Sequence, residues 1–198
     1  MKGPVFSVVA MAAALLAIGA APSTAASLSF RPAGSITATS LGKLTFAMGS
    51  LTIECNYTLT GRLATGPIAK TAGASVGEIT EVTWAGCTGG EIETVLNLPW
   101  TVVYSSIDGT LPEAVSAVRL AIDGWSWELS TFGGFAGCLW SGNPEFSLAL
   151  TRLAGAEYRS GLMRSLESAL RLVSGFGCPS EGRYLGSFSL TSQTVTRT

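Results

Sequence analysis

A strict alternation of apolar and polar residues begins at Leu51 and is the clearest pattern in the chain. The odd positions from Leu51 to Leu59 hold apolar, aromatic or cysteine side chains, and the even positions from Thr52 to Thr60 are polar. Because successive side chains of a strand point to opposite faces, this pattern predicts an antiparallel strand with one buried face. Gly61 is predicted to end that strand.

The same alternation recurs along most of the chain, in segments rich in β-branched and aromatic residues, which favour strands. Ile79 is out of phase with Val82, as a bulge would cause. Pro99 cannot donate a ladder hydrogen bond, which places it at a sheet edge or at an interruption. Further strands are predicted at 35–40, 43–47, 76–84, 96–105, 118–122, 125–129, 146–150 and 184–190.

These patterns predict an all-β protein, either an antiparallel β-sandwich or a partly closed β-barrel, with roughly nine to eleven short strands. One segment fits this picture less well. Leu162, Leu166 and Leu170 recur at helical spacing, which favours one short helix near 160–172. The alternative interpretation divides the segment at Ser168 into a loop and a short strand.

The first residues have the composition of a secretory signal peptide. Lys2 is positive, residues 5–21 carry no charge, and Ser23 and Ala25 are spaced like a leader-peptidase site. An uncleaved membrane anchor is the alternative, but the apolar run is shorter than the roughly 20 residues that span a bilayer. We expect residues 1–25 to be a signal peptide and residues 27–198 to form a single β domain. That domain would be secreted or associated with the cell envelope, with no membrane span after cleavage.

Charge and composition exclude several functions. The chain has 12 lysines and arginines, 13 aspartates and glutamates, and no histidine. This near balance gives no basic surface for nucleic acid. The lack of histidine removes Ser-His-Asp and Cys-His catalysis, as well as histidine metal sites. We therefore expect no cofactor, no metal and no nucleic-acid partner.

Four cysteines follow the predicted signal peptide: Cys55, Cys87, Cys138 and Cys178. An even number in an oxidising compartment favours two disulfides. Zinc is the competing interpretation, but zinc sites use closely spaced cysteine pairs, and these cysteines lie far apart in sequence. Of the possible pairings we favour Cys55 with Cys87 and Cys138 with Cys178, because this pairing joins neighbouring strands and crosses nothing. A Cys55–Cys138 bridge would overturn that topology.

Trp140 is the candidate for a surface contact. The other tryptophans fall on apolar strand faces and are predicted to be core residues. Trp140 instead lies beside Cys138 in a glycine-rich segment predicted to be a loop from Gly133 to Pro144. An exposed tryptophan there would suit stacking on a cell-wall glycan.

Paired carboxylates are one route to catalysis that does not need histidine. A glycosidase needs two carboxylates about 5 to 9 Å apart across a cleft. Glu78 with Glu81, or Glu91 with Glu93, could supply such a pair. The simpler interpretation is that all four are solvated strand residues. We assign no catalytic residue.

Several short motifs together resemble a family of small, secreted, disulfide-containing proteins of actinobacteria with no assigned activity. The motifs are Thr52-Ile53-Glu54-Cys55, Leu59-Thr60-Gly61, Ile68-Ala69-Lys70, Cys87-Thr88-Gly89-Gly90, Leu98-Pro99-Trp100, Gly109-Thr110-Leu111-Pro112 and Cys178-Pro179. The resemblance covers most of the chain after the signal peptide and depends on the order and spacing of the motifs. It implies an all-β domain with the two sequential disulfides, and it supplies no catalytic residues.

The sequence leaves three functional hypotheses. The leading one is a secreted, non-enzymatic structural or binding module of the cell envelope or the extracellular space. The second is a histidine-free, carboxylate-dependent hydrolase acting on polysaccharide or the cell wall. The third is a subunit of a homo-oligomeric surface assembly, with a strand edge near Pro99 or the C-terminal tail as the contact. The expected partners are a cell-wall glycan or a second copy of the chain.

Overall fold

The computed structural model describes residues 27–31, 34–110, 114–130, 137–155 and 157–197. The signal peptide expected at 1–25 lies outside these residues. Within them the secondary structure is all β, with no helix. The strands are β1 (Leu28–Arg31), β2 (Gly34–Ser40), β3 (Leu44–Met48), β4 (Leu51–Leu63), β5 (Ser75–Thr88), β6 (Glu91–Leu96), β7 (Trp100–Thr110), β8 (Ala114–Asp123), β9 (Trp125–Ser130), β10 (Cys138–Gly142), β11 (Glu145–Ala154), β12 (Glu157–Ser165), β13 (Ser168–Ser174), β14 (Glu181–Leu185) and β15 (Ser187–Arg197).

Eight of these strands close into an antiparallel barrel. Each strand is hydrogen-bonded to the next in the order β2, β4, β5, β7, β8, β11, β12 and β15, and β15 returns to β2. The alternating apolar residues of these strands point into the ring. The prediction of an all-β antiparallel fold is therefore confirmed.

The C-terminal strand β15 is hydrogen-bonded on both sides. On one side it pairs with β12. On the other side β2 pairs with its beginning, where Ser40 lies opposite Phe188, and β1 pairs with its end, where Phe30 lies opposite Val195. The C-terminal tail is thus part of the barrel wall and does not provide the open edge expected for a homo-oligomeric contact.

A second sheet branches from the barrel at β4. The first part of β4, from Leu51 to Cys55, pairs with β3, while its later part, from Thr58 to Leu63, pairs with β2. From β3 the sheet continues through β14, β13, β10, β9 and β6. In the described residues β6 pairs in a ladder with β9 alone, so one edge of β6, just before Pro99, is open.

The segment near 160–172 is not a helix. It is divided before Ser168, as the alternative interpretation expects, but the part expected to be a loop is mostly strand β12. β12 ends at Ser165, and β13 begins at Ser168 after a two-residue connection. β12 pairs with β11 and β15, whereas β13 pairs with β10 and β14. The leucine spacing is helical by coincidence, because the two strands pack against different neighbours. Pairing with distant strands overrides local periodicity here.

The described residues contain fifteen strands, more than predicted. Strands β1, β6, β10 and β12 form where none was expected, and the predicted strand at 184–190 is divided between β14 and β15. The predicted strand at 96–105 is interrupted at Asn97–Pro99, where the Leu98–Pro99 peptide is cis, and β7 begins at Trp100. An interruption at Pro99 was one of the two predicted outcomes. The predicted bulge is also present, because Thr60 lies opposite Glu81 and Gly61 opposite Ile79, leaving Thr80 as the extra residue.

Gly61 does not end its strand, since β4 continues to Leu63. A Cβ atom built at Gly61 would overlap the carbonyl oxygen of Glu78, and one built at Gly77 would overlap the carbonyl oxygen of Arg62. The two glycines lie beside the bulge, on neighbouring strands of the barrel. They allow the two backbones to approach closely beside the bulge, which is a common use of glycine within a strand.

Both predicted disulfides are present and sequential. Cys55 of β4 is bonded to Cys87 of β5, with the Cα atoms 4.2 Å apart. Cys138 of β10 is bonded to Cys178, which precedes β14, with the Cα atoms 5.9 Å apart. The first bridge begins in the part of β4 that pairs with β3, and the second begins in β10, so both reinforce the second sheet.

Candidate ligand-binding cavity in the barrel

The barrel encloses a cavity of about 50 Å³. All eight barrel strands contribute to its wall, and Phe30 of β1 also reaches it. Most of the side chains in the wall are aliphatic. One apolar residue from each barrel strand, in ring order, gives Ile36, Leu59, Ile79, Val102, Leu120, Leu148, Met163 and Leu190.

Two buried polar side chains interrupt this apolar wall. Ser160 of β12 is 1% exposed and Gln193 of β15 is 2% exposed, and they lie directly opposite each other in the β12–β15 ladder. Cross-strand neighbours of this kind have Cβ atoms about 5 Å apart on the same face. Ser160 Oγ and Gln193 Oε1 have no hydrogen-bond partner. Buried polar atoms of this kind are rare in folded proteins and require an explanation.

A hydrogen bond from the Gln193 amide nitrogen fixes the orientation of the side-chain amide. Gln193 Nε2 donates a hydrogen bond to the backbone carbonyl of Thr191 at 3.3 Å. Because a carbonyl oxygen can only accept, the amide nitrogen must face Thr191. The amide oxygen, Oε1, is therefore the atom left for the cavity.

Arg62 and Glu78 also line the cavity. Their side chains form an ion pair at 2.6 Å, with the Arg62 side chain 69% exposed. An ion pair this exposed contributes little to stability. It does neutralise the one acidic group in the cavity wall, so the wall as a whole offers no unpaired charge.

An aromatic cluster lies beside the cavity, where strands of the barrel and of the second sheet contribute rings to one core. The edge-to-face contacts centre on Trp127, whose ring centroid is 4.5 Å from that of Phe46 and 4.5 Å from that of Trp125. Phe146 belongs to both regions, because it lines the cavity and contacts Trp125. The cluster consists of Phe46, Tyr57, Trp100, Trp125, Trp127, Phe146, Tyr184 and Phe188.

The polar atoms of this cluster are also deeply buried. Trp100 Nε1 donates to the Leu96 carbonyl at 2.8 Å. The hydroxyls of Tyr57 and Tyr184, in contrast, have no hydrogen-bond partner. Burial raises the pKa of both phenols well above the usual value, and the neighbouring Tyr184 raises the pKa of Tyr57 further. Both phenols are therefore neutral at physiological pH.

Trp140 is not a surface residue, so the expected surface contact is wrong. It is 0% exposed and lies opposite Trp127 in the β9–β10 ladder. The segment predicted to be a loop contains strand β10, which begins at Cys138 and turns Trp140 toward the core. The exposed aromatic residue in the described part of the chain is instead Phe176, at 95%, between two glycines and beside Cys178.

The carboxylates considered for hydrolysis do not converge. Glu78 is paired with Arg62, and Glu81, Glu91 and Glu93 are exposed on β5 and β6. Glu81 faces away from the barrel interior, since its neighbour Val82 is buried. The arrangement matches the simpler interpretation of solvated strand residues.

Sequence reasoning missed Ser160 and Gln193. A detectable signal was a polar residue on the apolar face of an alternating segment. Ser160 follows Tyr158 on the buried face of β12, and Gln193 precedes Val195 on the buried face of β15. The helical interpretation of 160–172 concealed the first of these, and the polar composition of the C-terminal segment concealed the second.

The fold and the cavity together define a class: a closed antiparallel β-barrel with a small apolar interior and a second sheet attached to one strand. Among the residues that the structure describes, no group of three or more histidine, cysteine, aspartate or glutamate side chains could hold a metal ion. Across those same ranges, no helix has the length and apolar character needed to cross a membrane.

The chain belongs to the alkane oxidation protein activator PraA/PraB-like family, whose model matches residues 1–146. The match extends from the N-terminus to the start of β11, so β12 to β15 lie beyond it. Neither the curated proteins nor the solved structures gave a significant match. An origin in actinobacteria stays a prediction. Ser160 and Gln193 both lie in the part of the chain beyond the family match.

Proposed function

We propose that this protein is a secreted, non-enzymatic accessory protein that supports alkane oxidation by binding an apolar chain inside its barrel. The observation that carries the proposal is the aliphatic cavity, to which every barrel strand contributes. The description of the family, activators of alkane oxidation, names a process whose substrate has the same chemistry as this wall. An aliphatic wall binds an alkane chain by removing it from water, which contributes about 0.8 kcal/mol per buried methylene.

The size of the cavity limits what it holds without rearrangement. A cavity of about 150 Å³ binds benzene. The barrel cavity, at about 50 Å³, therefore has room for only the end of an aliphatic chain. Deeper entry requires side chains to move, and Met163 is suited to this because methionine is unbranched and has three rotatable bonds.

An accessory role is also consistent with the polar groups around the barrel. Glu78 is neutralised by Arg62, and the other candidate glutamates face solvent. A protein that binds and delivers a chain needs no converging acid and base, and the oxidation itself would take place on a separate enzyme. The two disulfides are typical of extracellular proteins and, with the expected signal peptide, support secretion.

Equilibrium binding of n-octane to the purified, signal-free protein tests the binding step. Headspace gas chromatography measures the octane held in solution at increasing protein concentration. We expect the dissolved octane to rise in proportion to protein, up to one molecule per chain. Ala38→Val adds two methyl groups inside the cavity and should reduce this uptake, whereas Ala149→Val makes the same change at an exposed position of β11 and should not.

The accessory role is tested separately. The protein is added to washed alkane-oxidising cells, and the rate of alkane consumption is compared with and without it. We expect a higher rate with the wild-type protein and no oxidised product from the protein alone. Oxidised product in the absence of cells would show an enzyme instead, and octane uptake unaffected by Ala38→Val would show that the barrel is not the binding site.

A further inference from the structure

The two unpartnered polar atoms in the barrel have complementary hydrogen-bonding capacities. The Ser160 hydroxyl can donate and accept, whereas Gln193 Oε1 can only accept. They lie opposite each other on neighbouring strands, with the rest of the cavity wall largely aliphatic. A single group that accepts from Ser160 and donates to Gln193 would satisfy both atoms.

A bare alkane cannot fill this role. It would cover both polar atoms with hydrocarbon and leave them without water or any other partner. Leaving a buried polar group unsatisfied is unfavourable, and sites of this kind discriminate strongly against ligands that lack the matching group. The cavity is therefore better matched to a chain that ends in a hydroxyl than to the hydrocarbon itself.

We infer that the barrel cavity binds the hydroxyl end of a primary aliphatic alcohol. The alcohol oxygen accepts a hydrogen bond from Ser160 Oγ, its proton is donated to Gln193 Oε1, and the first carbons lie against the aliphatic wall near Met163 and Leu190. This inference rests on the proposed function and specifies its ligand. Insertion of one oxygen atom into a terminal C–H bond of an alkane gives such an alcohol, so the protein would bind the product of the first oxidation.

Other end groups fit less well. An aldehyde oxygen can accept from Ser160 but has no proton for Gln193. A carboxylate would bring a negative charge against Gln193 Oε1 in an apolar surrounding, which is strongly unfavourable. A buried water molecule could bond to both atoms, and it is the competing occupant that the experiment must exclude.

Methionine methyl groups provide a direct probe. The chain has four methionines, and two of them, Met1 and Met11, lie within the expected signal peptide. In the remaining chain Met163 lines the cavity, while Met48 lies in the second sheet and serves as an internal control. Methyl-labelled protein is titrated with 1-hexanol, methyl pentyl ether and n-heptane, three ligands of equal heavy-atom number, and the shift of each methyl signal is recorded.

We expect 1-hexanol to move the Met163 signal with an affinity about tenfold higher than the ether, because the ether leaves Gln193 without a donor. Met48 should not move. In Ser160→Ala and Gln193→Leu the preference for the alcohol should fall to about twofold or less, while heptane binding persists and shows that the cavity is intact.

Each outcome has one meaning. Equal affinity for the three ligands, or a preference that survives both substitutions, would overturn the alcohol assignment and leave the proposed function standing. Binding of heptane without binding of hexanol would also overturn it and would indicate that the polar pair holds a water molecule only. No shift of Met163 with any ligand would contradict the proposed function itself.

Discussion

The barrel and the aromatic cluster follow the same alternation of residues but solve the packing of their interiors differently. In the barrel, aliphatic side chains project inward from eight strands and leave a cavity of about 50 Å³. In the cluster, three tryptophans, Trp100, Trp125 and Trp127, are 0% exposed and rings fill the space. Strand number fixes the width of a barrel interior, and eight strands leave room that only large side chains or a small ligand would fill.

The two regions also differ in how they are held together. The barrel is closed by hydrogen bonds round a complete ring, which removes open edges. The second sheet has an open edge at β6, and the disulfides reinforce this region, at β4–β5 and at the start of β10. A closed barrel that contains a cavity is thus joined to a region that is densely packed and crosslinked.

Removal of the disulfides should have the largest effect on this comparison. The bridges close segments with sequence separations of 32 and 40 residues. The loop-entropy estimate assigns about 4 kcal/mol to each. Replacing Cys138 and Cys178 by alanine should lower the free energy of unfolding accordingly, as measured by denaturant titration. Hydrogen exchange should show protection lost first in β9, β10 and β13. Equal loss in β8 and β11 would mean that the two regions unfold as one unit.

Trp127→Ala should be nearly as costly. The ring contacts those of Phe46, Tyr57 and Trp125, so its removal leaves a large void, and substitutions of this kind cost about 3 to 5 kcal/mol. Leu120→Ala, in the cavity wall, should fall near the lower end of the roughly 2 to 5 kcal/mol range, because the side chain already borders open space. If Trp127→Ala and Leu120→Ala lowered the denaturant midpoint equally, the two regions would not differ in packing.

Alkaline pH should destabilise the protein through the buried phenols of the aromatic cluster. The folded-state pKa values of Tyr57 and Tyr184 are raised by burial, so the unfolded chain loses these protons first, from about pH 10. Stability is therefore retained below that pH and falls as the pH rises, with a slope of about 1.4 kcal/mol per pH unit for each buried phenol. Denaturant titrations between pH 8 and 11 measure the slope. Tyr184→Phe should make it shallower, and an unchanged slope would place its cause elsewhere.

Gly182→Ala should test the dense packing of the second sheet with a single methyl group. A Cβ atom at Gly182 would lie 3.0 Å from Met48 Cγ and 3.2 Å from Trp140 Cζ3, in tightly packed surroundings. We expect a loss of about 1 to 3 kcal/mol from overpacking. The control is Gly161→Ala at a solvent-exposed position of the barrel strand β12, where no atom lies within 4 Å of the added carbon. A loss at Gly161 as large as that at Gly182 would mean that the cost comes from replacing a strand glycine and not from overpacking beside Trp140.

Ala38→Val should have the smallest effect and the opposite sign. Ala38 is buried in β2 and lines the cavity. Filling a cavity commonly stabilises a protein by about 0.5 to 2 kcal/mol. A higher denaturant midpoint together with weaker octane binding would link the cavity to both stability and ligand uptake. A lower midpoint would show that the barrel wall is already fully packed at this position.

Much of the fold could be predicted from the sequence. The strands follow from the alternation of neighbouring residues, and four cysteines allow only a few pairings. The alternation from Leu51, the bulge near Ile79 and the interruption at Pro99 are readable from single residues. Trp140 was not predictable, since its burial depends on β9 lying beside β10. The segment containing Leu162 and Leu166 was misread as helical because its strand partners, β11 and β15, lie elsewhere in the sequence.

By itself, the sequence predicted a β fold, favoured the sequential disulfides and excluded histidine-based chemistry. The tertiary structure decided that the strands close into a barrel, that β4 belongs to two sheets, and that Ser160 faces Gln193 across an apolar cavity. The physical reason is that alternation specifies which side of a strand is buried, while the neighbour of each strand depends on contacts between residues far apart in the chain. A serine and a glutamine become a candidate site only when those contacts bring them together.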